Sequence, residues 1–562
     1  MSGNGSSRPR RVLVTATPPT PNGDLHLGHL SGPYLGADIY HRYLRIRGVE
    51  SYSLTGIDDS QSYVTVKGHQ LGMTSEETAR KFGDRMTATL DGAAMEFDQV
   101  GRPDRSEEHL RQVQGMFTEL YESGAFEERE EEHLHCESCE RYIFEAFVSG
   151  QCPHCGSSSG GNLCEACGRP NDCADMTEVR CVVCGSTPVR RRARRLYFPL
   201  SRYRDELERY VRSTVMSPHL LVVCEDIFAA GLPDISMSHI SQWGIPVPVP
   251  GFEGQTIYVW FEMAPGFLAA TQELAERKGL DGWESFWHPQ RSAGHRVVQF
   301  FGVDNGFFYA LLFPAIFLAW KGEVRLPETL VVNEFYRLEG SKFSTSRNHA
   351  IWGEEILARL SSDQVRFYMA YTSPKREETN FLQEECDWVL GKELRRGWQG
   401  WLVRLGQRVR EEAEGKAPAG AILDRTHDAL RHRLRELVAS AETAYEAETF
   451  SPQAAARICT ELVRTSRDFH SEQSYWQRNA ACREAQRASL ALELLAAKTL
   501  AIISYPLMPH FASRLWRELG FTSPMDSIGE ARWESNPTWL EPDQPVAFAT
   551  APYFPEERPR SK

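Results

Sequence analysis

Arg11-Val12-Leu13-Val14-Thr15-Ala16, a Pro- and Gly-bearing loop from Thr17 to Asp24, and then His26-Leu27-Gly28-His29 decide the fold of this chain. The first six residues are β-rich and apolar, as a strand buried on both faces of a parallel sheet requires. After the loop, Tyr34, Ile39, Tyr43 and Ile46 recur at helical spacing. Strand, loop and helix begin a doubly wound α/β sheet, whose ligands lie at the carboxyl ends of the strands. Gly28 lets a nucleotide come close to the backbone, and a helix N-terminus favours phosphate. His26 and His29 share one helical face, where ring N–H groups can donate to a phosphate gaining charge. The same spacing also fits a His-x2-His metal pair or two ordinary helix residues.

Working outward, the 562 residues suggest three to four domains. Hydrophobic residues make up 41% and charged residues 25%, which excludes collagen-like, coiled-coil and wholly disordered chains. No apolar run reaches the ~20 residues that cross a bilayer; Phe307 to Trp320 reads as a buried helix. Met1 to Arg11 has no apolar segment of a secretory signal, so a cytoplasmic protein with a loose tail is expected. Net charge is −13. Residues 391–520 nevertheless hold 20 Lys and Arg against 16 Asp and Glu, compatible with a polyanion partner or with a mixed helical surface.

Eight of the 13 cysteines form four C-x2-C pairs: Cys136 and Cys139, Cys152 and Cys155, Cys164 and Cys167, Cys181 and Cys184. Without a secretory signal this spacing reads as metal binding. Two knuckles close one tetrahedral site, so eight thiolates predict two structural Zn2+ ions. Ser149 to Asn162 has little apolar mass, and metal must supply its folding energy. Nested pairing is expected, with the inner two knuckles on one ion and the outer two on the other. Cys173, Cys224, Cys386, Cys459 and Cys482 read as core residues. From 386 to 520, Leu402, Leu405 and Val409, then Leu430, Leu434 and Leu437, then Leu490, Leu492 and Leu495 predict a helix bundle, with Pro506 and Pro509 ending the last long helix.

Thr17-Pro-Pro-Thr-Pro-Asn-Gly-Asp-Leu-His-Leu-Gly-His29 resembles the signature of class I aminoacyl-tRNA synthetases in their methionyl form. Thr55-Gly-Ile-Asp58-Asp59, Tyr258-Val-Trp260-Phe-Glu, Phe301-Gly302-Val-Asp304 and Lys342-Phe-Ser-Thr-Ser346 continue the resemblance, which runs from about residue 11 to 520. It implies a disordered tail at 1–10 and two halves of a Rossmann-like catalytic domain at 11–125 and 231–330. A zinc-knuckle insertion falls at 126–230 and a stem-contact segment with the lysine loop at 331–385. An anticodon-type helical bundle spans 386–545, with a tail at 546–562.

The activity implied is ATP- and Mg2+-dependent activation of an amino acid to an aminoacyl adenylate, chemistry in which the protein positions reactants and neutralises charge. By the resemblance His26, His29, Lys342 and Thr345 are catalytic. Asn22, Gly23, Gly28, Gly302, Asp304, Ser344, Ser346 and Arg347 bind ATP. Pro18, Thr20, Asp58, Trp260, Met263, Phe267 and Tyr309 hold the amino acid, Asp58 by its α-ammonium and Tyr258–Glu262 as a strand leading into the pocket. Arg404 and Trp476 are placed to meet tRNA, Trp476 fitting equally as a core aromatic. The basic run Arg190 to Arg195 meets tRNA phosphates or flanks the zinc segment.

Departures from the family pattern are Thr345 for a second lysine, Met237 for an arginine, and Pro18, Thr20, Met263, Phe267 and Tyr309 in the pocket. Gly400 stands for an asparagine, beside Trp398 and Trp401 in a region expected to read bases. They favour transfer of an activated amino acid to a small amine or N-hydroxylamine in biosynthesis of an N–N bonded product, with a separate cupin partner. The alternatives are a methionine–tRNA ligase and a catalytically silent paralogue that binds RNA or protein.

Overall fold

The structure, a computed structural model, describes residues 11–161, 163–164, 166–320, 324–343, 349–374, 377–473, 482–527 and 530–557. Seven strands position its sites: β1 (Arg11–Ala16), β2 (Glu50–Gly56), β3 (Gln99–Gly101), β4 (Glu127–Cys136), β5 (Val189–Pro199), β6 (His295–Gly302) and β7 (Thr329–Asn333). Five form a parallel sheet in the order β7-β6-β1-β2-β3. The chain winds outward from β1 in both directions, so the topological switch lies between β1 and β6. That is where an open parallel sheet leaves its ligand crevice.

The helix after β1 is broken. Leu27–His29 forms one turn, Leu30–Tyr34 widens around Pro33, and α1 (Leu35–Ile46) continues from there. Pro33 donates no backbone hydrogen bond and Gly32 leaves helical geometry, which accounts for the widened turn.

The insertion departs from the sheet as the long antiparallel pair β4 and β5. Here the basic run finds its partners. Arg194 pairs with Glu128, Arg192 lies 3.8 Å from Glu130, and Arg191 lies 3.3 Å from Glu137. Arg190 donates to the Ala174 carbonyl, and Arg195 is buried. Most of the charge expected to meet tRNA phosphates is therefore matched by the acidic strand opposite.

Tyr258–Glu262 also differs from expectation. It opens α2 (Val259–Lys278), and only Gln255–Ile257 before it is strand. Further on come α3 (Ser362–Tyr371), α4 (Gly400–Ala413), α5 (Arg425–Tyr445), α6 (Pro452–Gln473), α7 (Arg483–Ser504) and α8 (Pro509–Glu518). Pro509 starts α8 rather than only ending α7, being tolerated in a first turn. Trp398 and Trp401 are wholly buried. They are core side chains. Cys224, Cys386 and Cys459 are buried as expected, whereas Cys173 and Cys482 are partly exposed.

One apolar core runs without a break from β1 and α1 into the bundle, joining Val14, Ile39, Phe367, Leu434 and Leu495. At its centre sits a carboxylate. Asp38, fully buried, meets Arg366 at 2.5 Å and Arg42 at 3.0 Å and accepts the Glu96 backbone N–H at 2.9 Å. Arg366 also donates to the carbonyls of Ala94, Pro506 and Leu507. Removing one partner from a buried ion pair strands the other charge. Arg366→Met is expected to lower the unfolding free energy by about 3–5 kcal/mol, seen as a lower urea midpoint. Asp38→Leu combined with Arg366→Met should cost less than the two single changes summed.

Candidate active site

Two cavities lie at the carboxyl ends of β1, β2 and β6, Thr17 lining one and its neighbour Pro18 the other. The larger, about 210 Å³, is lined by His26, Gly28, His29, Gly302, Asp304 and Asn333, among others. The two imidazoles stack with ring centroids 3.7 Å apart. Each Nδ1 accepts the other residue's backbone N–H at 3.3 Å. With Nδ1 an acceptor, the neutral ring carries its proton on Nε2. Burial holds His29 down at about 4, and burial together with the His29 ring pushes His26 well below the usual imidazole range. Two uncharged N–H donors, fixed in tautomer, therefore stand over the cavity at neutral pH. This arrangement suits a triphosphate and argues against the His-x2-His metal reading, since both Nδ1 atoms are already engaged.

Glycine is needed here for space. A Cβ on Gly28 would lie 3.0 Å from the His26 ring and from Phe343, and one on Gly302 would lie 2.5 Å from Asp304 Oδ1. Phe343 stacks on His26 with ring centroids 4.9 Å apart. The backbone of Lys342 pairs with Arg337. Ser344, Thr345, Ser346 and Arg347 lie outside the described residues. Asn22 and Gly23 line neither cavity. Asn333 and Glu334, not expected, do line the nucleotide side; their position at the end of β7, beside β6, is the signal that would have found them.

The smaller cavity, about 40 Å³, is lined by Pro18, Asp58, His109, Glu262, Met263 and Phe267, among others. Thr20 donates to Asp58 at 3.4 Å. Burial, reinforced by Glu262, pushes the Asp58 carboxyl well above the usual carboxylate range, so a substrate ammonium would relieve it. Tyr309 sits behind the wall, its hydroxyl 4.0 Å from Met263 Sδ and its ring stacked on Phe301. Trp260 packs on Phe308 at 3.5 Å and does not line the cavity. His109 and Glu262, unforeseen, form a 3.0 Å pair with Glu262 Oε2 left without a partner. Met237 is buried, its backbone bonded to Leu196 and Tyr258, and brings no charge to the reaction centre.

The cysteines fall into the nested sets expected. Cys136, Cys139, Cys181 and Cys184 form one, Cys152, Cys155, Cys164 and Cys167 the other, and all thiols within a set lie within 4.8 Å of one another. A zinc tetrahedron with ~2.3 Å bonds has sulfur–sulfur edges of about 3.8 Å. The closest thiols of each set, at 3.4–3.9 Å, approach that edge. Three knuckles turn through Gly156, Gly168 and Gly185 at positive φ, and the fourth through Glu140 at φ 52°. Both sets can therefore hold zinc. A small apolar cluster including Phe144, Phe147 and Met176 packs beside the outer set only.

On the bundle, Arg404 is exposed, and Trp476 lies outside the described residues. Among the described residues no helix is long and apolar enough to cross a membrane.

A family model described as tRNA synthetases class I (M) matches residues 12–405. The chain belongs to this family of class I aminoacyl-tRNA synthetases. Among its relatives, the methionine–tRNA ligase of Thermomicrobium roseum is 31% identical over 523 residues, covering 91% of this chain and 87% of the relative. That of Pyrobaculum arsenaticum is 31% identical over 506 residues, covering 89% and 87%. The Mycobacterium tuberculosis methionyl-tRNA synthetase bound by methionyl-adenylate superposes with a TM-score of 0.78 at 17% identity, over 97% of this chain and 100% of that one. The fold is the one expected, a Rossmann-like α/β sheet with a cysteine-knuckle insertion and a helical C-terminal part. The protein is an ATP-dependent ligase of the class I synthetase type.

Two tests follow from this geometry. Metal analysis of the purified synthetase is expected to find two zinc ions per chain, and one after Cys155→Ser with Cys164→Ser. Because free Asp58 has a raised pKa and ammonium binding favours its ionised form, amino-acid affinity should weaken as pH falls. Asp58→Asn should bind more weakly and lose that dependence, as read from the pH profile of the amino-acid KM.

Proposed function

We propose that this chain is a methionine–tRNA ligase. In the first half-reaction the amino-acid carboxylate attacks the α-phosphate of ATP, forming an acyl–phosphate bond as the bond to pyrophosphate breaks. Asp58 holds the ammonium. The Nε2–H groups of His26 and His29 donate to phosphate oxygens as charge builds. In the second half-reaction a hydroxyl of the terminal tRNA ribose attacks the acyl carbon and AMP leaves. Mg2+ would accompany ATP and share in neutralising the phosphates. The observation that carries this reading is the placement of two cavities on either side of the end of β1, the paired histidine donors in one and the buried Asp58 carboxyl in the other. Methionine–tRNA ligases similar across nearly the whole chain support the substrate pair.

A second reading changes the amino acid. Met263 occupies the cavity wall, and the Glu262–His109 pair offers a polar surface that a thioether does not need. These residues favour a smaller or more polar side chain. Transfer to a small amine or N-hydroxylamine with a cupin partner draws no support from the relatives and enters only as an acceptor to be tried.

ATP–pyrophosphate exchange across the proteinogenic amino acids tests both, followed by acylation of tRNA(Met). Methionine-dependent exchange with charging is the expected result, and His26→Asn or His29→Asn should cut exchange about 10²–10³-fold. Exchange with a different amino acid, or transfer to an added amine without charging, would replace the proposal. ATP binding with no exchange would point to the silent paralogue.

A further inference from the structure

A third cavity, of about 290 Å³, opens between the insertion and the segments that follow it in the chain. Tyr258 and Phe307 stand in its wall. Tyr258 caps α2, whose next residues Val259 and Glu262 line the small cavity described above, so one helix end serves both spaces.

The new cavity has two unlike ends. At one, Arg195 is only 4% exposed. Its Nη1 meets His239 Nδ1 at 3.3 Å, its Nε and Nη2 have no hydrogen-bond partner, and it forms no ion pair among the described residues. His239 stacks on Phe144 at 4.3 Å and is held neutral by burial and by Arg195. Since its Nδ1 accepts from Arg195, its unpartnered Nε2 carries the proton. Three N–H-bearing nitrogens thus stand without an acceptor among the described residues. At the other end is Glu145, also 4% exposed. Its Oε2 accepts from Ser62 at 2.9 Å while Oε1 has no partner. Cys173 is within electrostatic reach of both Arg195 and Glu145.

Buried charges are ordinarily paired; here Arg195 has only the more distant charge of Asp172 in the same cavity lining, and burial pushes the Glu145 carboxyl up to about 7. A ligand carrying the complementary charges would satisfy both. We propose that this cavity binds a small zwitterion, an amine-bearing carboxylate of amino-acid size, with its carboxylate on Arg195 and His239 and its ammonium on Glu145. It would be a second bound molecule, distinct from the amino acid held by Asp58.

Isothermal titration of the zinc-loaded full chain carrying Asp58→Asn tests this, the substitution weakening the first amino-acid pocket. The probes are glycine, β-alanine, L-lysine and L-glutamate, with acetate, propionate and ethylamine as one-ended controls. At least one zwitterion should saturate a single site at least tenfold more tightly than either kind of control. Arg195→Met and Glu145→Gln should each weaken it tenfold or more. Arg195→Lys, which keeps the charge but loses the two-pronged donor, serves if the Met variant does not fold. In the chain with Asp58 intact, Arg195→Met or Arg195→Lys should leave ATP–pyrophosphate exchange within twofold. That assay reports on activation separately, so failure of either idea is seen without the other. The proposal is overturned if no zwitterion saturates, if propionate binds as tightly as its amino counterpart, or if binding ignores both positions.

Discussion

A single buried carboxylate, Asp38, organises this molecule. It cannot reach water, so it must be met by charge and by N–H groups from whatever surrounds it. Arg42 comes from the same helix, Arg366 from α3, and the Glu96 amide from the crossing before β3. Arg366 in turn ties down the turn between α7 and α8. The helix that follows the paired histidines is thereby clamped to the C-terminal bundle.

The same economy of charge shapes the active site. The imidazoles facing the nucleotide cavity are neutral, and the Met237 position supplies no cation. Burial raises the Asp58 carboxyl, and Glu262 and Glu145 lie close enough to raise it further. Among the described residues the site is therefore poor in positive charge and rich in carboxyl groups. It is completed electrostatically by what binds there, the substrate ammonium above all.

What could be read from the residues followed from how local the determining interactions were. The β1 strand, the His26–His29 turn and the nested cysteine sets are each set by a short spacing, and each was legible. The fate of Arg190 to Arg195 was not, because the acidic partners sit some 60 residues earlier and meet them only when β4 and β5 pair. Trp398 and Trp401 looked misplaced for a polar surface, yet the face they occupy is core. The start of α2 at Val259 was hidden by β-branched and aromatic residues that tertiary burial holds in a helix. His109 escaped notice because nothing near it in the chain announces that it meets Glu262.

The continuous core from β1 into α7 has an evolutionary consequence. In a modular enzyme a recognition domain can be shed and replaced whole. Here the bundle supplies Leu434, Leu495 and the anchor for Arg366, so its loss would uncover the catalytic half. A lineage that changed what this protein recognises had to keep the entire scaffold and alter it one side chain at a time. The helical bundle can thus persist as architecture, whatever its surface meets.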